Sequence, residues 1–139
     1  MAKRDDRLAA IREIVRTTEV RTQAELAKLV AAAGFECTQA TISRDIADLH
    51  LEKRRGSKSF MLPEEVQIER MITQVACAGN MIVAHTRAGA AQGLAAVLDN
   101  AGLRDILGSV AGDDTVMMVA KTEEAAQHVT AYLAAHCGA

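Results

Sequence analysis

Aromatic side chains are nearly absent: the 139 residues include no tryptophan, one tyrosine and two phenylalanines. Any core must be built from Leu, Ile, Val, Ala and Met, because half of the chain is apolar without large rings. The three cysteines, Cys37, Cys77 and Cys137, are odd in number and lack both C-x-x-C and Cys/His ligand spacing. That pattern excludes a disulfide framework and a structural zinc site, and no metal is expected. No apolar run reaches the roughly 18 to 20 residues that span a bilayer, and no signal-like apolar segment follows Lys3-Arg4-Asp5-Asp6. The expectation is a cytoplasmic protein with no membrane partner.

Proline occurs once, at Pro63, and there the charge changes sign. Residues 1–62 carry 12 Lys and Arg against 9 Asp and Glu, a net of +3, whereas residues 63–139 carry 4 against 9, a net of -5. A basic half and an acidic half point to two jobs, with the basic half suited to phosphate. The boundary is placed at 62–68, giving domains 1–64 and 65–139. Cores of that size are marginal alone, and oligomerisation is one way to bury more surface.

In the first half, Leu8, Ile11 and Val15 recur at helical spacing, Leu26, Leu29, Val30 and Ala33 form a second stripe, and Ile42, Ile46 and Leu49 a third. The second helix has a capping box, Thr22-Gln23-Ala24-Glu25, and stops at Gly34; the third starts after Thr38. Residues 51–62 read as two short strands around Gly56-Ser57.

The second half reads as strand pair, helix, strand pair, helix. Strands are expected near 68–76 and at 81–86, 107–111 and 115–120, with helices over 89–101 and 123–136. Leu94, Val97, Leu98 and Ala101 face inward on the first helix, and Val129, Tyr132, Leu133 and His136 share one face of the last. Met81-Ile82-Val83-Ala84 and Val116-Met117-Met118-Val119 are apolar at every position, although a sheet with one wet face should alternate. Another subunit is the obvious cover for the second face. The fold class is α+β: a winged helix-turn-helix followed by a ββαββα α/β sandwich.

Two helices joined by a short turn at Gly34-Phe35 and followed by a basic hairpin describe a DNA reader whose later helix enters the major groove. With Ile42, Ile46 and Leu49 inward, the opposite face carries Ala40, Ser43, Arg44 and Ala47, with Gln39 in the first turn. Small residues permit close approach, Arg44 suits guanine or phosphate, alanine methyls suit thymine methyls, and Gln39 suits adenine. Lys53, Arg54, Arg55 and Lys58 on the hairpin suit backbone phosphates, which position without specifying sequence. The competing reading, an ordinary solvated helix face and a solubilising edge, loses ground because helix, turn and basic hairpin occur together.

In the second half, Gly89-Ala90-Ala91-Gln92 opens a helix and Gly112-Asp113-Asp114-Thr115 forms a turn. A helix N-terminus suits a carboxylate and adjacent acids suit a cation, so together they describe a cationic amino acid such as arginine or lysine. Gly-Asp-Asp is equally what a plain hairpin turn requires, and the residues alone leave both readings open.

The motifs Thr38-Gln39-Ala40-Thr41-Ile42-Ser43-Arg44-Asp45, Leu62-Pro63, His85-Thr86 leading to Gly89-Ala90-Ala91-Gln92, and Gly112-Asp113-Asp114-Thr115 resemble those of the bacterial arginine repressor family, in order and spacing from about residue 5 to 135. The resemblance implies a homohexamer, a dimer of trimers, in which L-arginine binds between trimers as corepressor and no cofactor is needed. It implies contacts to double-stranded palindromic operator DNA from Gln39, Ser43 and Arg44, and repression of arginine biosynthesis genes, with activation of arginine catabolism in some members. It implies ligand contacts from Gln92, Asp113 and Asp114, with Ser109 and Ala111 lining the site. Two departures stand out: Arg87-Ala88-Gly89 replaces a common proline and sets a cation near the expected site, and Gly108-Ser109 replaces a common Gly-Thr while keeping a hydroxyl.

An enzyme using Asp113 and Asp114 as metal ligands or an acid/base pair is the rival from another class, but no nucleophile with its base, phosphate loop or further ligand set accompanies them. No catalytic residue is therefore expected. A DNA-binding architectural protein indifferent to arginine is the second rival.

Overall fold

Residues 2–137 are described by the structure, a computed structural model; Met1, Gly138 and Ala139, the ends of the expected domains, lie outside the described residues. The chain divides between Pro63 and Glu64 into two compact units.

The first unit contains α1 (Ala2–Thr17), α2 (Gln23–Ala32), α3 (Gln39–Asp48) and a hairpin of β1 (Glu52–Lys53) and β2 (Phe60–Met61). Ile11, Val15, Val20, Leu26, Val30, Ile42, Phe60 and Leu62 form its core. Leu8, Leu29, Ile46 and Leu49 flank it half-buried, whereas Ala33, expected on the apolar stripe, is exposed because α2 has already ended at Ala32. Local chemistry sets the helix ends. The Thr22 hydroxyl accepts from Glu25 N at 3.1 Å and that of Thr38 from Thr41 N at 3.1 Å.

Both later helices of this unit stop in the same way. After α2, Gly34 adopts φ +99°, with Gly34 N donating to Ala31 O at 3.0 Å and Phe35 N to Val30 O at 3.1 Å. After α3, His50 takes the left-handed position at φ 55°, with His50 N donating to Ala47 O and Leu51 N to Ile46 O, both at 3.1 Å. The paired reverse bonds satisfy the last carbonyls, and the position favours glycine because a Cβ crowds the backbone there.

The second unit holds all but the first residue of α4 (Pro63–Met71) and continues through β3 (Ile72–Ala78), β4 (Met81–Thr86), α5 (Ala91–Asn100), β5 (Ile106–Ala111), β6 (Thr115–Ala120) and α6 (Glu123–Ala134). The strand expected near 68–76 is thus a helix as far as Met71 and a strand only from Ile72. The reason is visible in the pattern. Within α4, Glu65 and Ile68 stand at i and i+3 on the buried side, and Pro63 with Glu64 and Glu65 makes a favourable first helical turn.

The sheet order is β3-β4-β6-β5, antiparallel throughout. α5 lies over β5 and β6 and α6 over β3 and β4, burying Ile82, Ala84, Val116, Met118 and Ala120 against Leu94, Leu98, Ala126, Val129 and Leu133. Although the sequence of β4 and β6 does not alternate, burial does. Val83 pairs with Met117 and Met117 with Val110 on the other face, where Val110 is 69% exposed.

α4 is fastened to the last helix by polar contacts. Tyr132 donates its hydroxyl to Glu65 Oε2 at 2.7 Å, and His136 stands between Glu65 (3.6 Å) and Glu69 (3.8 Å). The Tyr132 and His136 rings meet edge to face at 5.1 Å. Beside them, burial pushes the Cys137 thiol above its ordinary value, and it donates to Leu133 O. No helix among the described residues is long and apolar enough to cross a membrane.

Two stability changes are expected. Leu94→Ala empties part of the second core and lowers unfolding free energy by about 2–5 kcal/mol, read from denaturant midpoints. His50→Gly relieves the left-handed backbone and raises stability by about 0.5–1 kcal/mol in the same measurement, net of the added chain entropy.

Candidate functional site

In the first unit, α3 presents Gln39, Ala40, Ser43, Arg44 and Ala47, all exposed, while Ile42 is fully buried beneath them. Gln39 is the first residue of the helix, directly after the Thr38 cap. This face has the small side chains that close approach to base edges demands.

The hairpin distributes its four cations unequally. Arg55 and Lys58 are exposed around a tight loop in which Gly56 (φ 86°) and Lys58 (φ 58°) are left-handed, and Lys58 N donates to Arg54 O at 2.9 Å. Lys53 instead folds back: its ammonium bonds Arg21 O and lies 4.7 Å from the Phe60 ring centre. Arg21 reaches forward from the loop before α2, donating Nε to Ser57 O at 3.0 Å. That brace holds the hairpin tip and went unnoticed in the sequence, since Arg21 belongs to no basic cluster.

A charged pair missed in the sequence also seats α3. Asp45 is 2% exposed, and its carboxylate accepts from Arg7 Nε at 2.6 Å and Nη2 at 3.0 Å. Hydrogen bonding to Asp45 raises the Arg7 guanidinium above its already high ordinary value. One turn further, Arg4 Nη2 donates to Asp48 Oδ2 at 3.0 Å.

In the second unit, the β5–β6 turn is tied to the start of α5. Thr86 N donates to Asp114 O (2.8 Å), Gly89 N to Asp113 O (3.0 Å) and Ala91 N to Asp113 O (3.3 Å). The Asp113 carboxylate accepts from Gly89 N at 2.9 Å, and that of Asp114 from Thr115 Oγ1 at 2.9 Å. Thr115 in turn sits 3.4 Å from His85 Nδ1. Gln92 follows as the second residue of α5, exposed, on a helix whose N-cap, Ala90, supplies no side-chain bond. Gln92, Asp113 and Asp114 are thereby gathered at one end of the unit, where Asp113 O already takes the first amide of α5.

Ser109 and Ala111 share a strand and a face, both half-buried. Ala111 directly precedes the turn, but Ser109 lies towards the other end of α5, where its hydroxyl donates to Asp99 Oδ1 at 3.5 Å. Ser109 and Asp99, together with Leu98, Leu103 and Ile106, line a cavity of about 170 Å³ from which Ala111 is absent. Asp99 was not singled out in the sequence, where it reads as an ordinary polar residue late in an amphipathic helix. Among the described residues no group of three or more His, Cys, Asp or Glu could hold a metal ion.

Comparison with known proteins accounts for both units. The family model for the arginine repressor DNA binding domain matches residues 2–68, and that for the arginine repressor C-terminal domain matches residues 68–135. The arginine repressor of Thermus thermophilus is 42% identical, covering 91% of this chain and 86% of its own length. That of Bifidobacterium adolescentis is 35% identical over 95% and 90%, and that of Bacillus subtilis 35% over 82% and 85%. With both halves matched and relatives this similar over nearly their full length, the chain belongs to the arginine repressor family.

Proposed function

We propose that this chain is an arginine-responsive transcription repressor that binds palindromic operators through its first unit and L-arginine through its second. The observation that carries the reading is the fastening of the Asp113-Asp114 turn to the start of α5. It sets carboxylates suited to a guanidinium beside the start of α5, whose dipole suits a carboxylate. Gln92, Asp113 and Asp114 are the contacts, with Ala111 as lining beside the turn; Ser109, drawn towards Asp99 at the other end of α5, stands apart from them. Asp113 is already engaged by Gly89, which makes it a brace as well as a contact, whereas Asp114 is held by the neighbouring Thr115 hydroxyl.

The family relationship and the outward apolar face of the sheet support assembly into a hexamer of two stacked trimers, with arginine between them. Met81 (37% exposed), Val110 (69%) and Leu107 (65%) are large apolar groups that another copy would cover. A ligand bridging two trimers stabilises the assembly that holds the DNA heads, so ligand and operator binding are linked. The effector takes the place of any cofactor and the chain performs no chemistry on it. On this reading Gln39, Ala40, Ser43, Arg44 and Ala47 face the groove, and Arg54, Arg55 and Lys58 meet phosphates, with Lys53 shaping the hairpin that presents them.

The test is operator binding by the purified chain at one fixed salt concentration, titrated with L-arginine and, as controls, lysine and citrulline. Arginine alone should tighten binding by about 5- to 150-fold, the usual span of such couplings. Asp114→Ala should remove that effect and leave weak DNA binding. Strong operator binding unmoved by arginine would retain the DNA reader and overturn the sensor. Arg44→Ala should weaken operator binding by about 1–3 kcal/mol and affect an unrelated duplex less, measured by competition.

A further inference from the structure

α3 reaches its place through two kinds of contact. Ile42, Ile46 and Leu49 pack on the core side, and such contacts are non-directional: apolar groups of similar size repack at small cost. The second kind is directional. Arg7 grips Asp45 with two parallel bonds of 2.6 and 3.0 Å, and Arg4 bonds Asp48 at 3.0 Å. Both partners on each side are three residues apart, so Arg4 and Arg7 of α1 and Asp45 and Asp48 of α3 form two successive rungs between the helices. The rungs adjoin the outward face in sequence, since Asp45 follows Arg44 and Asp48 follows Ala47.

Stability is a poor explanation for the inner rung. A buried ion pair loses hydration that its attraction barely offsets, and apolar residues of similar volume often serve stability equally well. The fork fixes geometry instead, because a bidentate guanidinium–carboxylate pair has a preferred plane and direction that a lysine ammonium lacks. A rotation of α3 about its axis would break that fork and re-aim Ser43, Arg44 and Ala47 together. The apolar contacts alone would tolerate a smaller rotation of that kind.

We propose that Arg7 and Asp45, seconded by Arg4 and Asp48, are positioning residues for DNA reading, setting the rotation of α3 and hence sequence discrimination rather than general DNA affinity. The proposal rests on the first unit being a DNA reader. It predicts that the fork matters most for base-edge contacts, which need fixed placement, and least for phosphate contacts made by flexible cations.

The experiment uses the full chain and two duplexes of equal length: one selected by the wild-type chain from a random pool, and one unrelated. Dissociation constants for both and the thermal midpoint are measured at one salt concentration for wild type, Arg7→Lys and the double variant Arg7→Met with Asp45→Leu. Arg7→Lys keeps the charge and loses the fork; it should reduce the ratio of the two affinities by about tenfold, mainly through the selected duplex. The double variant should restore thermal stability towards wild type without restoring the ratio. A stable double variant that discriminates as wild type does would overturn the proposal. So would an Arg7→Lys chain that loses both affinities in equal proportion, which also decides the matter if the double variant does not fold. Failure of the wild-type chain to select any sequence would instead strike at the DNA-reading function itself.

Discussion

The arrangement of the second unit depends on how the Asp113-Asp114 turn is fastened. Main-chain amides of Thr86, Gly89 and Ala91 all donate to carbonyls of this one turn, so the end of β4, the start of α5 and the β5–β6 connection form a single joint. Two acidic side chains and a helix start with no side-chain cap would otherwise be loosely related surface features. Backbone bonds make their spacing a property of the fold, and a ligand reading that spacing does not have to order the loop first.

The two units solve the shortage of aromatic residues differently. The first packs three helices and a hairpin around branched aliphatics with Phe60 as its one buried ring, and adds directional polar contacts from Arg7 and Arg21 where shape alone does not fix orientation. The second covers one sheet face with two helices and leaves the other face to residues such as Val83, Met117 and Val110. A sheet with apolar residues on both faces and helices on one side leaves its second face uncovered within one chain, which is why the non-alternating strands β4 and β6 suggest another subunit as cover.

Much of this was legible in the sequence because local rules decided it. The stripes of α2 and α3, the Thr22 and Thr38 caps, the hairpin around Gly56 and the strands Met81–Thr86 and Thr115–Ala120 all follow from periodicity and turn chemistry. The stretch from Ile68 misled because α4 passes directly into β3 at Met71–Ile72, with no turn residue between them to mark the change. What stayed hidden were charged or polar groups whose partners lie far away in sequence. Asp45 reads as an exposed acid until Arg7, 38 residues earlier, is seen to hold it. Lys53 reads as a free cation of the hairpin, whereas its ammonium also contacts Arg21 O and the Phe60 ring. Of the candidate ligand contacts, Gln92 and the two acids, named through the family resemblance, lie at one end of the unit, whereas the neighbourhood of Ser109 with Asp99 depends on where α5 crosses β5.

The single tyrosine has an optical consequence. With no tryptophan in the chain, the intrinsic emission comes from Tyr132, whose phenol donates to the Glu65 carboxylate where α4 meets α6. A carboxylate acceptor draws on the excited phenol's proton and dims its emission, so loosening of that contact brightens the protein. The second unit carries its own label for the state of this joint, while the DNA-reading unit stays dark at those wavelengths.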